Sequence, residues 1–126
     1  MYPERFDRVL FTQEEIALKV RELGTAITAD LGAHPAGSLA LVGMLKGGFV
    51  FLADLIRAIE LDLTVDFMAI SSYRQESASS GGVRIVKDLS ESIYGRDVLV
   101  VVYIVDTGPT LSYILRNLRE RGPRQL

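Results

Sequence analysis

Two short polar stretches bring together the residue types best suited to holding an anion. The first is Asp106-Thr107-Gly108-Pro109-Thr110, which follows eight apolar or aromatic residues in a row, Val98-Leu99-Val100-Val101-Val102-Tyr103-Ile104-Val105. That run is rich in β-branched types and predicts a strand buried on both faces. Leu111, Ile114, Leu115 and Leu118 then fall at helical spacing. Strand, Gly/Thr turn and helix together aim backbone N–H groups and a positive helix end at an anion. Thr107 and Thr110 add hydroxyls, Gly108 lets the backbone come close, and Asp106 is the fixed negative charge of the turn. An ordinary strand-to-helix turn capped by a threonine has the same spelling. The second stretch is Leu45-Lys46-Gly47-Gly48. A cation beside bare amides suits a pyrophosphate, and equally a solvated lysine in a tight turn.

The elements that must position these stretches are legible from hydrophobic period. Thr12-Gln13-Glu14-Glu15 has the form of a capping box. Ile16, Val20, Leu23, Ile27 and Leu31 continue it as an amphipathic helix of about five turns, ended by a loop from Gly32 to Gly37 around Pro35. Leu39-Ala40-Leu41-Val42-Gly43-Met44 reads as a buried strand, and residues 49–59 as a helix with Leu52, Leu55, Ile56 and Ile59 on one face. Leu63-Thr64-Val65-Asp66-Phe67-Met68-Ala69-Ile70 is a further strand, in which Asp66 is either at an edge or paired. Residues 71–82 are dense in Ser and Gly, and a loop of that length is commonly a lid or a hairpin tip. Val83-Arg84-Ile85-Val86-Lys87-Asp88-Leu89 alternates as a half-exposed strand does. A last helix over 110–121 is stopped by Gly122-Pro123.

The bulk numbers bound the class. A chain of 126 residues predicts a single domain that buries roughly 65% of its unfolded surface. Net charge is −2 with no basic block, which argues against general nucleic-acid binding. There is no Cys, so neither a disulfide framework nor a thiolate metal site is expected. The lone His34, beside Pro35, reads as a loop residue. Met1-Tyr2-Pro3-Glu4-Arg5 lacks the apolar core of a signal peptide, and no apolar run approaches the ~20 residues that span a bilayer. No membrane association and a cytoplasmic location are the expectation.

The first stretch resembles the phosphoribosyl-pyrophosphate loop of type I phosphoribosyltransferases. Ile104-Val105-Asp106-Thr107-Gly108 followed by Thr110-Leu111-Ser112-Tyr113 is similar to the hypoxanthine-guanine branch in particular. Leu45-Lys46-Gly47-Gly48-Phe49 resembles that family's pyrophosphate loop, and Ala53-Asp54-Leu55-Ile56-Arg57-Ala58-Ile59 and Lys87-Asp88-Leu89 run as the family does. Ser72-Tyr73 before a Ser/Gly-rich tip resembles its mobile catalytic loop, which closes over the site and excludes water. The resemblance implies a Rossmann-like, mostly parallel α/β sheet flanked by helices. It implies transfer of phosphoribosyl from 5-phosphoribosyl 1-pyrophosphate to hypoxanthine or guanine, forming the inosine or guanosine monophosphate, with magnesium as cofactor. By resemblance Asp106 is the proton acceptor near N7 of the purine. Asp106, Thr107, Gly108, Pro109 and Thr110 form the 5′-phosphate loop, and Lys46 and Gly47 hold pyrophosphate. The pyrophosphate loop of the family can contain a non-proline cis peptide.

The sequence also departs from the family pattern. Where the family carries two acidic residues before the phosphate loop, which hold the ribose hydroxyls and help place magnesium, this chain has Val102 and Tyr103. Neither can chelate a hard cation, so no metal ligand is assigned and magnesium binding is expected to be weakened. Pro109 removes one N–H from the phosphate cradle but suits a helix start. The likeness covers about residues 9–118 and the first two thirds of the family pattern. The later strands, the purine-reading lysine, the aromatic that stacks on the base and a metal-binding Asp have no counterpart. The sheet is therefore expected to stop early with an open edge, which invites self-association into a homo-oligomer. Three functions stay in view: a purine-salvage transferase, impaired in this chain; a phosphoribosyl-phosphate binding module without turnover; and an RNA-binding regulatory relative, against which the acidic balance argues.

Overall fold

A computed structural model describes residues 3–72, 83–104 and 108–126. The elements run α1 (Gln13–Leu31), β1 (Leu39–Leu45), α2 (Phe49–Ala58), β2 (Leu63–Ser72), β3 (Val83–Lys87), β4 (Asp97–Val101) and α3 (Pro109–Arg119). The strands form one sheet in the order β3-β2-β1-β4. β1 pairs in parallel with β2 and with β4, and β3 lies antiparallel to β2. This is the open, mostly parallel sheet flanked by helices that the sequence led us to expect.

Side-chain alternation along each strand divides the interior into two layers. Val42 and Met44 of β1, Met68 of β2 and Val98 of β4 pack with Ile93 and with Ile114 and Leu118 of α3. Leu39 and Leu41 of β1 and Val101 of β4 pack on the other face with Leu52 and Leu55 of α2, against Ile27 and Leu31 of α1. The capping box at the start of α1 is present in both directions: Thr12 Oγ1 accepts from the Glu15 N–H at 3.1 Å, and Glu15 accepts from the Thr12 N–H at 3.1 Å. α1 and α2 touch backbone to backbone at Gly24. A methyl there would sit 2.3 Å from the Ala58 carbonyl oxygen.

Three expectations are adjusted and one open alternative is decided. The long apolar run does not make an eight-residue buried strand: β4 is Asp97–Val101, and its last partner on β1 is Gly43 opposite Val101. Beyond that point Tyr103 and Ile104 are each 65% exposed. Apolar character alone cannot extend a strand once the neighbouring ladder ends. β2 runs on through Ser72, which pairs with Val83, so this serine belongs to the sheet rather than to a loop. α3 takes Pro109 as its first residue and ends at Arg119. Asp66 is paired and lies on an interior strand, where its carboxylate accepts from the N–H groups of Phe67, Ser90 and Glu91 at 2.8–3.0 Å.

The amino-terminal ends of β1 and β4 are tied together by one ionic cluster. Asp97, 1% exposed, accepts from Ser38 Oγ at 2.7 Å and Arg124 Nε at 2.8 Å, and meets a second Arg124 nitrogen, Nη2. His34 Nδ1 lies 3.0 Å from Asp97 Oδ2 and 2.8 Å from Arg124 Nη2. A ring nitrogen can donate to the first or accept from the second, not both. Backbone bonds run alongside, from the Val98 N–H to the Gln125 carbonyl and from the Arg124 N–H to the Arg96 carbonyl. His34 is thus a loop residue, as expected, but one engaged in the cluster.

Candidate phosphate site at the carboxyl ends of the strands

In a parallel sheet the carboxyl ends of the strands feed the loops that hold ligands. Here those ends surround a cavity of about 290 Å³. β1 contributes Met44 and Leu45, β2 contributes Ile70, and the segment after β4 contributes Val102, Tyr103 and Ile104. The start of α3 closes it with Gly108, Thr110, Leu111 and Ile114. Leu111 and Ile114 were legible as one helix face; that Met44 and Ile70 share a wall with them required the parallel register.

Gly108 caps α3 with φ at 94°, a left-handed conformation open to glycine at little steric cost. Its carbonyl accepts from the Ser112 N–H at 2.8 Å, the first turn of the helix. Pro109 follows at the position where a missing N–H does least harm. Thr110 is exposed at the cavity wall, with its hydroxyl on the positive end of α3. Asp106 and Thr107 lie outside the described residues, as does Tyr73.

Lys46 and Gly47 are exposed at the tip of the second loop, and Gly48 behind them is buried. The Leu45–Lys46 peptide is cis. The turn is held by the Phe49 N–H to the Lys46 carbonyl at 3.3 Å and the Leu52 N–H to the Gly48 carbonyl at 2.9 Å. Lys46 and Gly47 stand beside the cavity rather than in its wall, and Tyr103 joins the two. A methyl built on Gly47 would lie 3.0–3.2 Å from Cγ, Cδ1 and Cδ2 of the Tyr103 ring. The ring therefore occupies the place where a side chain at residue 47 would stand, and the sequence gives no local sign of that contact.

Two other features lie away from this site. A larger groove, about 960 Å³, runs along α1 and α2 and is walled largely by apolar groups such as Val9, Phe11, Ile16 and Val20. The Asp97 cluster sits at the opposite ends of the strands. There the Arg124 guanidinium holds the Asp97 carboxyl at about 2 against the opposing effect of burial, with help from Ser38. Among the described residues no three His, Asp or Glu side chains gather as a metal ion would require. Among those residues, no helix is long and apolar enough to cross a membrane.

Comparison with known proteins agrees with this fold. The phosphoribosyl transferase domain model matches residues 10–126. The chain is 47% identical over 129 aligned residues to a hypoxanthine-guanine phosphoribosyltransferase of Mycobacterium avium, covering 100% of this chain and 64% of that protein. It is 42% identical over 126 residues to the Bacillus subtilis protein of the same name, covering 100% and 68%. Among solved structures, a hypoxanthine phosphoribosyltransferase from Staphylococcus aureus superposes with a TM-score of 0.87 at 41% identity, over 98% of this chain and 65% of that one. One from Trypanosoma cruzi, in a ternary substrates complex, gives 0.90 at 36% identity, over 98% and 70%. The chain spans 64% of the length of the mycobacterial relative. On sequence and fold alike, the chain belongs to the phosphoribosyl transferase domain family, on its hypoxanthine-guanine branch.

Proposed function

We propose that this chain is a purine-salvage transferase, impaired in turnover, that works in the cytoplasm. The reaction is transfer of a ribose 5-phosphate unit from 5-phosphoribosyl 1-pyrophosphate to N9 of hypoxanthine or guanine. The observation that carries the reading is the cavity where the Gly108–Thr110 end of α3 meets the ends of β1 and β2. A dianionic phosphate placed there faces backbone N–H groups, the Thr110 hydroxyl and the positive helix end. Thr107 completes that loop in this reading, Asp106 accepts the purine proton, and Tyr73, just past the end of β2, begins the lid. Lys46 and Gly47 would take the departing pyrophosphate. As C1 becomes oxocarbenium-like, the protein's task is to hold the two phosphoryl ends apart and keep water out.

The family implies magnesium, which when bound neutralises pyrophosphate charge. The side chains present do not fit it. Val102 and Tyr103 stand where a carboxylate pair is expected, and a hydrocarbon or a neutral phenol does not hold a hard cation. For that reason we assign the chain impaired turnover. A second reading, a binding module that retains the phosphate pocket without catalysis, is favoured by the same two residues.

Two measurements test these readings. Titration calorimetry with 5-phosphoribosyl 1-pyrophosphate and magnesium should show weak binding, and its absence would count against the phosphate site. Incubation with that donor and hypoxanthine should yield little inosine monophosphate. Robust formation would remove the impairment and the binding-module reading with it.

A further inference from the structure

We propose that Tyr103 is a positioning residue for Lys46: its ring braces the second loop and so sets where the lysine ammonium meets a pyrophosphate. The inference rests on the reading of Lys46 as a pyrophosphate contact and concerns what holds that lysine in place. Three observations carry it.

The first is how weakly the loop holds itself. Gly47 and Gly48 follow Lys46, and glycines leave a backbone its widest choice of conformation. The Phe49 N–H meets the Lys46 carbonyl at 3.3 Å, longer than is usual for such a bond. The Lys46 ammonium has no partner among the described residues. Local sequence therefore leaves the position of Lys46 open, and a neighbour has to fix it.

The second is the seat of Tyr103. Its Cγ, Cδ1 and Cδ2 lie 3.0–3.2 Å from a methyl built on Gly47, so the ring stands where that residue's own side chain would be. Its backbone nitrogen and Cβ lie 3.6 Å from a methyl built on Gly48, which is buried. Tyr103 thus packs beside both glycines on which the placement of Lys46 depends. Lys46 and Gly47 stay exposed, so the contact supports the loop and leaves it open to a ligand.

The third is that Tyr103 is itself supported. β4 ends just before it, at Val101, which pairs with Gly43 of β1. β1 in turn ends at Leu45, so one pair of strands delivers both the brace and the loop it braces. The phenolic oxygen has no partner among the described residues, so the brace is the ring and not the hydroxyl. A smaller side chain at this position would leave the space beside Gly47 empty and the loop free to shift.

Two readouts test the brace, one of which needs no ligand. Amide hydrogen exchange reports on the loop through the Phe49 N–H. Tyr103→Ala should speed that exchange about tenfold and leave the amide of buried Leu41 in β1 unchanged. Tyr103→Phe, which keeps the ring, should exchange as the unaltered chain does. Titration calorimetry with inorganic pyrophosphate in EDTA supplies the second readout. Tyr103→Ala should raise Kd about fivefold. It should have no further effect once Lys46→Ala has removed the ammonium, because the brace acts through that lysine. Unchanged exchange at Phe49 would overturn the proposal. So would equal acceleration at Leu41, or a loss of pyrophosphate affinity that adds in full to that of Lys46→Ala. Each of these leaves pyrophosphate binding at Lys46 standing. Failure of the unaltered chain to bind pyrophosphate would overturn the assignment of Lys46 and the role of Tyr103 with it.

Discussion

Arg124 grips both carboxylate oxygens of Asp97, Nε on one and Nη2 on the other, and so fastens the C-terminal segment to the first residue of β4. Such a fork is the strong form of the ion pair, because its two bonds are charge-assisted and geometrically matched. Asp97→Asn removes the charge and keeps the shape. It should lower unfolding free energy by about 2–3 kcal/mol, read from the midpoint of urea unfolding followed by far-UV circular dichroism. An unchanged midpoint would show that the segment is held by its backbone bonds alone.

The same carboxylate sets a pH dependence. Its value of about 2 in the folded chain lies below the ordinary 3.8, so the folded state binds its proton less readily than the unfolded state. A depressed carboxyl contributes stability that is fully present above the unfolded value and is lost as pH falls through the folded one. Stability should therefore decline between about pH 4 and pH 2, and Asp97→Asn should flatten that part of the profile. Equal acid sensitivity in the two proteins would assign the decline to other carboxylates.

The contact between α1 and α2 leaves no room at Gly24. A methyl there would lie 2.3 Å from the Ala58 carbonyl oxygen and 2.5 Å from its Cβ, both rigid groups. Gly24→Ala gains helix propensity but must push the helices apart, and should cost a net of about 2 kcal/mol. Thermal unfolding would show it; a rise in midpoint would mean that α2 shifts freely on the sheet.

Thr12 caps α1 through its hydroxyl and receives the Glu15 carboxylate in return. Thr12→Ala should cost about 1 kcal/mol, with Thr12→Ser nearly neutral. Chemical denaturation of the pair provides the check, and equal loss in both would point to the threonine methyl instead of the cap.

Restoring an acidic pair offers a separate handle on the site. Val102→Glu combined with Tyr103→Asp should make binding of 5-phosphoribosyl 1-pyrophosphate stronger in magnesium than in EDTA, by about tenfold. Both positions lie on irregular chain after β4 and line the cavity, so the change falls outside the paired sheet. No gain with magnesium would count against assigning these positions to metal placement.

Much of this protein was written locally. The cap at Thr12, the Gly108-Pro109 entry to α3, the stop at Gly122-Pro123 and the unbroken apolar run of β1 depend on neighbours within a few residues, so their spelling suffices. The two loops at Lys46 and Thr110 were legible for the same reason, since a glycine-bearing turn between strand and helix advertises its own backbone. Tertiary structure decided what distant partners control. β4 stops at Val101 because its pairing with β1 stops there, which no count of valines reveals. Asp97 is a buried hub because His34 and Ser38, 63 and 59 residues away in sequence, close on it with Arg124. Tyr103 lies on Gly47 because the parallel register of β1 and β4 brings their carboxyl ends side by side. Short-range preferences fix the elements, whereas the make-up of the cavity comes from which chain ends the sheet sets next to one another.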